Sequence, residues 1–198
     1  QEDYLIKYDT WFKMGGNIKV FISPQSYTKL KLIISFLNNQ HIEYKVIGFT
    51  SNVLFLDEIE YSIIISTKNL TYLSISDNIV LVDAGYSLQD FVRVAIMHQA
   101  KGYEGLEGIP GSIGGGIFMN AGAYNDCISD NLQYVECINK NNEIIILKKN
   151  ECNFKHRDSI FKNNEFIILR ASFIFNKGNR EIIEKNVEKF HIARHSYQ

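Results

Sequence analysis

Residues Gly108 to Tyr124, "GIPGSIGGGIFMNAGAY", put six glycines and one proline into a single run. Backbone amides reach phosphate oxygens only where no Cβ blocks the approach, so glycines clustered beside a strand end or helix start are candidate phosphate cradles. A second cluster, Gly48-Phe49-Thr50-Ser51-Asn52-Val53-Leu54, adds side-chain donors at Ser51 and Asn52. Neither run fits the dinucleotide fingerprint or the P-loop, because no strand precedes a G-x-G-x-x-G and no Gly-Lys-Ser/Thr is present. Either cluster alone reads equally well as tight turns. Two clusters in separate parts of the chain point to one pyrophosphate embraced from both sides.

The flanking pattern suggests what carries these loops. Ile18 to Ser23 alternates and stops at Pro24, as a strand does; Tyr27, Leu30, Ile34 and Leu37 follow at helical spacing, with Ser26 as N-cap. Tyr44 to Ile47 is a short strand running into Gly48. From Tyr61 to Gly85 the chain changes to short β-rich runs (62–65, 71–75 and 79–82), which opens a second unit. Leu88, Phe91, Val92 and Ala95 mark a helix face. Beyond the long glycine run, 133–138, 143–147 and 166–175 read as strands, with Asn141-Asn142 as a hairpin turn, and Ile183, Val187 and Phe190 outline a last helix. Its polar positions Glu181, Glu184, Lys185, Glu188 and Lys189 read as a solvated face. Strands and helices in separated runs predict an α+β fold.

Composition removes several function classes. Lys+Arg 21 against Asp+Glu 22 leaves a formal net charge of -1, so no field draws the chain to nucleic acid or an anionic membrane. Any anionic ligand must be caught locally. No uncharged apolar run is long enough to span a bilayer, and the first residues, Gln1 to Lys7, hold no apolar signal core, which together predict a cytoplasmic location. Cys127, Cys137 and Cys152 are an odd number at spacings that fit neither a zinc site nor a disulfide framework, so they read as reduced thiols, and no metal is expected.

"GFTSNVLFL" from Gly48, "GLEGIPGSIGGGIFMNAGAY" from Gly105 and "ECNFKHRDSIFK" from Glu151 occur in the order and at the spacing of the UDP-N-acetylenolpyruvoylglucosamine reductases. Asp9-Thr10-Trp11-Phe12 to Gly16 also resembles that family's opening. The resemblance implies a two-lobed FAD-binding fold of the vanillyl-alcohol-oxidase type, with lobes over 1–58 and 59–198. It implies that Gly48, Phe49, Thr50, Ser51, Asn52 and Val53 contact the FAD diphosphate from the first lobe. Gly111, Ser112, Ile113, Gly114 and Gly115 would line the diphosphate and ribityl chain from the second, with Gly122, Ala123 and Tyr124 nearby. NADPH would be the hydride donor and the enolpyruvyl group of a UDP-sugar the acceptor, in peptidoglycan precursor synthesis.

Arg157 matches the family's catalytic arginine, suited to the task because it stays charged and grips a carboxylate with two donors. Without the surrounding motif it would read as a surface partner of Asp158. Ser159 is not given the proton-donor role, which belongs to a later serine in the family. Two positions depart from the pattern: Phe49 and Thr50 put bulk where the family has small residues, and His156 stands where it usually has tyrosine. The family also continues past a Gln-Pro junction into a third, substrate-binding domain that carries the protonating serine and a glutamate. The expectation is therefore either a part of such an enzyme or a short FAD-binding relative with a different role in surface-polysaccharide or sugar-nucleotide metabolism. A non-catalytic module, with glycine loops used only for packing, is the alternative from outside the enzymes.

Overall fold

A computed structural model describes residues 1–163 and 165–197. The first part of the chain forms β1 (Glu2–Leu5), β2 (Asn17–Ile22), α1 (Tyr27–Asn39), β3 (Lys45–Ile47) and β4 (Tyr61–Ser66). The rest forms β5 (Leu73–Ser76), β6 (Ile79–Asp83), α2 (Leu88–Met97), α3 (Ile113–Met119), β7 (Gly122–Ala123), β8 (Asp126–Cys127), β9 (Leu132–Asn139), β10 (Ile144–Lys148), β11 (Phe166–Ile174) and α4 (Arg180–Tyr197). One sheet runs β1-β2-β4-β3, antiparallel between β1 and β2 and parallel elsewhere. The other runs β10-β9-β11-β6-β5 and is antiparallel throughout. The α+β class is as expected.

The division expected at residue 58 requires correction. Tyr61–Ser66, read from sequence as the start of the second unit, is β4, and it lies between β2 and β3 in the first sheet. Its central run Ile63-Ile64-Ile65 is apolar on both faces, as a central strand covered on both sides must be. Ile64 packs with Ile6, Ile18, Phe21 and Phe55 on one face, and Ile65 with Leu30, Ile34 and Leu37 of α1 on the other. The passage between sheets therefore comes after Ser66. Four short elements were also not foreseen: β1, α3 inside the glycine run, and the paired strands β7 and β8 that follow it.

Helix α1 is the layer between the sheets. Its apolar stripe meets Ile65 and Leu70 on one side and Ile138 and Leu169, from β9 and β11, on the other. Ser26 caps it as expected, its Oγ accepting from the Lys29 N–H at 3.3 Å. Helices α2 and α3 cover the far face of the second sheet, where Phe91, Tyr103, Phe173 and Phe175 form an edge-and-tilt aromatic cluster. The 141–142 turn joins β9 to β10 with Asn142 at φ 60°, as its hairpin reading requires. In α4 the five polar positions named above are exposed and Ile183 is buried.

A polar tie joins α1 to the second sheet. The Tyr27 hydroxyl donates to Asp83 Oδ1, and the Tyr72 N–H donates to Oδ2 at 3.0 Å. Desolvation raises the Asp83 carboxyl above its usual range even though both hydrogen bonds oppose it. A raised folded-state pKa favours folding while the group is protonated, and this contribution is lost as pH climbs through that pKa. The Tyr27 bond, by contrast, matters most to the ionised carboxylate. Tyr27→Phe is thus expected to cost about 1.5–3 kcal/mol at pH 7, the worth of a hydrogen bond to a charged group, and less at pH 4. Urea unfolding at the two pH values checks this, and equal losses at both would contradict it.

Candidate functional site

The two glycine loops, sixty residues apart in sequence, are in contact. Loop 48–53 leaves the C-terminal end of the parallel strand β3, the end at which open parallel sheets bind ligands. Ser51 Oγ donates to the Pro110 carbonyl at 3.0 Å. A Cβ on Gly48 would overlap the Ser112 hydroxyl, so any side chain there drives the loops apart. Gly111 sits at φ 133°, where side chains are rarely tolerated, and its carbonyl accepts from the Leu88 N–H at 2.9 Å at the start of α2.

The fate of each amide decides which of them remain for a ligand. Three of the expected cradle groups are used inside the protein. The Ile113 N–H donates to Tyr86 O at 2.9 Å, Gly114 to Ala84 O at 2.8 Å, and Gly115 to Ser112 Oγ at 3.2 Å. Gly114 is small for packing, since a Cβ there would lie 2.9 Å from the Ala84 Cβ. Gly122 likewise makes room for the β7–β8 hairpin, where a Cβ would meet Asp126 O at 2.6 Å. Among the described residues, no protein acceptor meets the N–H groups of Phe49, Thr50, Ser51 and Asn52, or of Gly111 and Ser112. These six donors come from both loops. Thr50 is β-branched yet stands at φ 60°, a strained conformation retained where its Oγ1 accepts from the Trp11 N–H at 3.0 Å.

Arg157 lies beyond the other end of α3. Lys155 and Asp158 form a tight two-way hairpin, with N–H···O distances of 3.0 and 3.2 Å, and Arg157 at its tip is left-handed at φ 54°. Three bonds tie this segment down: Asn120 Nδ2 to Lys155 O at 2.9 Å, Ser159 Oγ to Phe118 O at 2.8 Å, and Lys162 Nζ to Arg157 O at 2.5 Å. The sequence-level alternative of an Arg157–Asp158 pair is not what forms: Asp158 pairs with Lys162 at 3.8 Å, and Arg157 makes no ion pair among the described residues. Burial raises the Cys127 thiol of β8, Asp130 adds to this, and the positive charge of Arg157 opposes it. His156 is exposed. Helix α3, at 1.5 Å per residue, separates the amide cradle from this cation by roughly 10 Å.

Arg194 was missed in the sequence. Carried by α4, it lies with Cζ 5.7 Å from the Tyr124 ring centre, and Tyr124 stacks on Phe190 at 4.5 Å and 10°. Gly108 at φ 74° gives it space, since a Cβ there would stand 2.9 Å from Arg194 Cδ. Its Nε and Nη2 are buried with no acceptor among the described residues. An arginine on a polar helix is ordinarily a solvated residue, so only the fold could single it out. Six unanswered amides in two loops, and a buried guanidinium edge against the same glycine run, match the needs of an anionic dinucleotide: the residues present fit FAD. No group of three or more His, Cys, Asp or Glu suited to a metal ion occurs among the described residues. No helix described is long and apolar enough to cross a membrane.

Comparison with known proteins agrees with this geometry. Residues 18–148 match the family model described as FAD binding domain. The UDP-N-acetylenolpyruvoylglucosamine reductase of Caldanaerobacter subterraneus subsp. tengcongensis is 34% identical over 193 residues, 98% of this chain and 64% of that protein. The enzyme of the same name from Rickettsia prowazekii is 33% identical over 201 residues, covering the whole of this chain and 67% of its own length. The crystal structure of the Thermus caldophilus enzyme superposes with a TM-score of 0.82 at 26% identity, covering 97% of this chain and 68% of that one. The chain thus spans about two thirds of the length of the curated relatives it matches. Carrying an FAD-binding domain and a third of its residues in common with these proteins from end to end, the chain belongs to the UDP-N-acetylenolpyruvoylglucosamine reductase family.

Proposed function

We propose that this chain forms the FAD-holding part of a cytoplasmic reductase that acts on the enolpyruvyl group of a UDP-sugar in peptidoglycan precursor synthesis. The observation that supports it most is the pairing of a two-sided amide cradle with a conformationally restrained arginine at the far end of α3 that has no ion-pair partner among the described residues. FAD supplies the two-electron carrier, with a hydride taken in from NADPH and passed on to the enolpyruvyl double bond. The amides of residues 49–52, 111 and 112 hold diphosphate oxygens without a permanent charge. Tyr124, with Gly122 and Ala123 beside it, would flank bound FAD, and Arg194 would offer it a guanidinium edge.

Hydride addition to the enolpyruvyl double bond moves an electron pair onto the carbon beside the carboxylate and from there toward its oxygens. A fixed cation is worth most where such charge develops, because it is already oriented when the charge appears. Arg157 is suited to that place: Asp158 does not neutralise it, and the hairpin limits where its side chain can go. The second hydrogen arrives as a proton on the same carbon, which completes the reduction to the lactyl ether.

Anaerobic absorbance tests the reading. Protein saturated with FAD is expected to lose its visible flavin bands on addition of NADPH and to regain them on addition of UDP-N-acetylglucosamine enolpyruvate. Bands that NADPH leaves intact would overturn the assigned donor. Protein that carries no flavin bands after incubation with excess FAD and removal of the unbound cofactor by gel filtration would overturn the whole reading and favour a packing role for the glycine loops.

A further inference from the structure

Among the described residues, twelve other than glycine adopt positive φ, and five of them, Asn120, Tyr124, Asn125, Asn153 and Arg157, lie in the two segments that meet at the end of α3. Strained backbone persists only where its surroundings over-determine it, and it gathers at functional sites. Asn120 is where the two segments are joined. It terminates α3 in the left-handed conformation (φ 44°, ψ 57°), its N–H closing the last turn onto Gly116 and Ile117. Its side chain then does something a helix terminator does not need. Only 7% of the residue is exposed, and Nδ2 reaches 35 residues along the chain to the carbonyl of Lys155, the residue that pairs with Asp158 on either side of Arg157. The other amide atom, Oδ1, is buried and meets no donor among the described residues. Such orphaned groups are rare in native proteins and call for a specific reason. The amide is held by one strong partner, and that partner is the base of the arginine hairpin.

We propose that Asn120 is the positioning residue for Arg157: its amide anchors Lys155 and so fixes the left-handed hairpin that presents the guanidinium to the reacting end of the site. This inference rests on the reading of Arg157 given above. Without the anchor, the 155–158 turn keeps its internal bonds and the Ser159 tie, but Arg157 loses its fixed height above the end of α3.

The test uses the FAD-loaded chain and three variants: Asn120→Gly, Arg157→Gln and the two together. Glycine accepts the left-handed conformation, so the helix end is kept while the amide is removed. The quantity read is the equilibrium between bound FAD and a redox dye during slow reduction, because a nearby cation favours the more negative, reduced cofactor. Arg157→Gln is expected to disfavour reduction about tenfold. Asn120→Gly is expected to disfavour it at least threefold, and the double variant to match Arg157→Gln, since a residue that acts through another adds nothing once that other is gone. A purely structural asparagine would change the melting temperature and leave this equilibrium untouched. An unshifted equilibrium in Asn120→Gly, or an equal shift in both backgrounds, overturns the proposal while leaving Arg157 in place. FAD lost from Asn120→Gly but kept by Arg157→Gln overturns it as well, because the asparagine would then be holding the cradle. No shift in Arg157→Gln overturns the reading of the arginine itself, and the inference with it.

Discussion

Arg157→Ala is expected to retain FAD at one per chain and to slow reoxidation of the reduced flavin by UDP-N-acetylglucosamine enolpyruvate by about 10²–10³, the loss that follows removal of one donor at a site of developing charge, about 2.7–4 kcal/mol. Rapid mixing of NADPH-reduced protein with the UDP-sugar measures it. The structural cost should be small. Arg157 is exposed, takes part in no ion pair among the described residues, and contributes its backbone carbonyl, not its side chain, to the bond with Lys162. FAD binding should be retained, because the cradle lies at the opposite end of α3. A variant that turns over as the parent does would remove the central cation from the mechanism.

The second large effect is expected at Gly48. Gly48→Val puts a branched side chain where even a single Cβ would overlap the Ser112 hydroxyl. Ser112 can yield only by giving up the Gly115 N–H that it accepts at the start of α3. The wedge also strains the Ser51–Pro110 bond that closes the two loops on each other. FAD affinity is expected to fall at least tenfold, read by fluorescence titration of the apoprotein. Tenfold in affinity is about 1.4 kcal/mol, of the same order as the about 1–3 kcal/mol that overpacking costs a packed core, so the titration is read together with a melting curve that shows the variant folded. Gly114→Val, at a glycine that the family resemblance places along the diphosphate, acts through a different contact. Its side chain would press on Ala84 and not on a ligand, so FAD loss there should come together with destabilisation.

The glycine run revealed the presence of a cradle but not which amides form it. Spacing alone cannot tell a glycine that admits a phosphate from one that admits Ala84 or a hairpin carbonyl, and Gly114 and Gly122 are of the second kind. That distinction depends on β6 and β8, which the fold brings in from elsewhere. The seven-residue helix α3 was hidden for a related reason: Ile113-Gly114-Gly115-Gly116 has poor intrinsic helix propensity, and the Ser112 cap together with packing of Ile113 and Ile117 in the core overrides it. Helices α1 and α2 were legible because their apolar positions repeat at helical spacing and each has a serine cap. The strand at 61–66 was legible as a strand, yet its sheet was not. Its three consecutive isoleucines mark a strand covered on both faces, but they do not say which strands flank it, because the parallel pairing with β2 and β3 is non-local. Arg157 stood out by its motif, whereas Asn120 and Arg194 acquire meaning only from partners 35 residues away or more, or from the lack of one.

Hydrogen exchange of the backbone amides, with and without saturating FAD, tests the two-loop cradle most directly. The account predicts that the amides of Phe49, Thr50, Ser51, Asn52, Gly111 and Ser112 exchange freely in the apoprotein and slow at least tenfold on binding. The amides of Ile113 and Gly114, already bonded to Tyr86 and Ala84, should be protected in both states. Protection gained at only one of the two loops, or at neither, would contradict a diphosphate held from both sides.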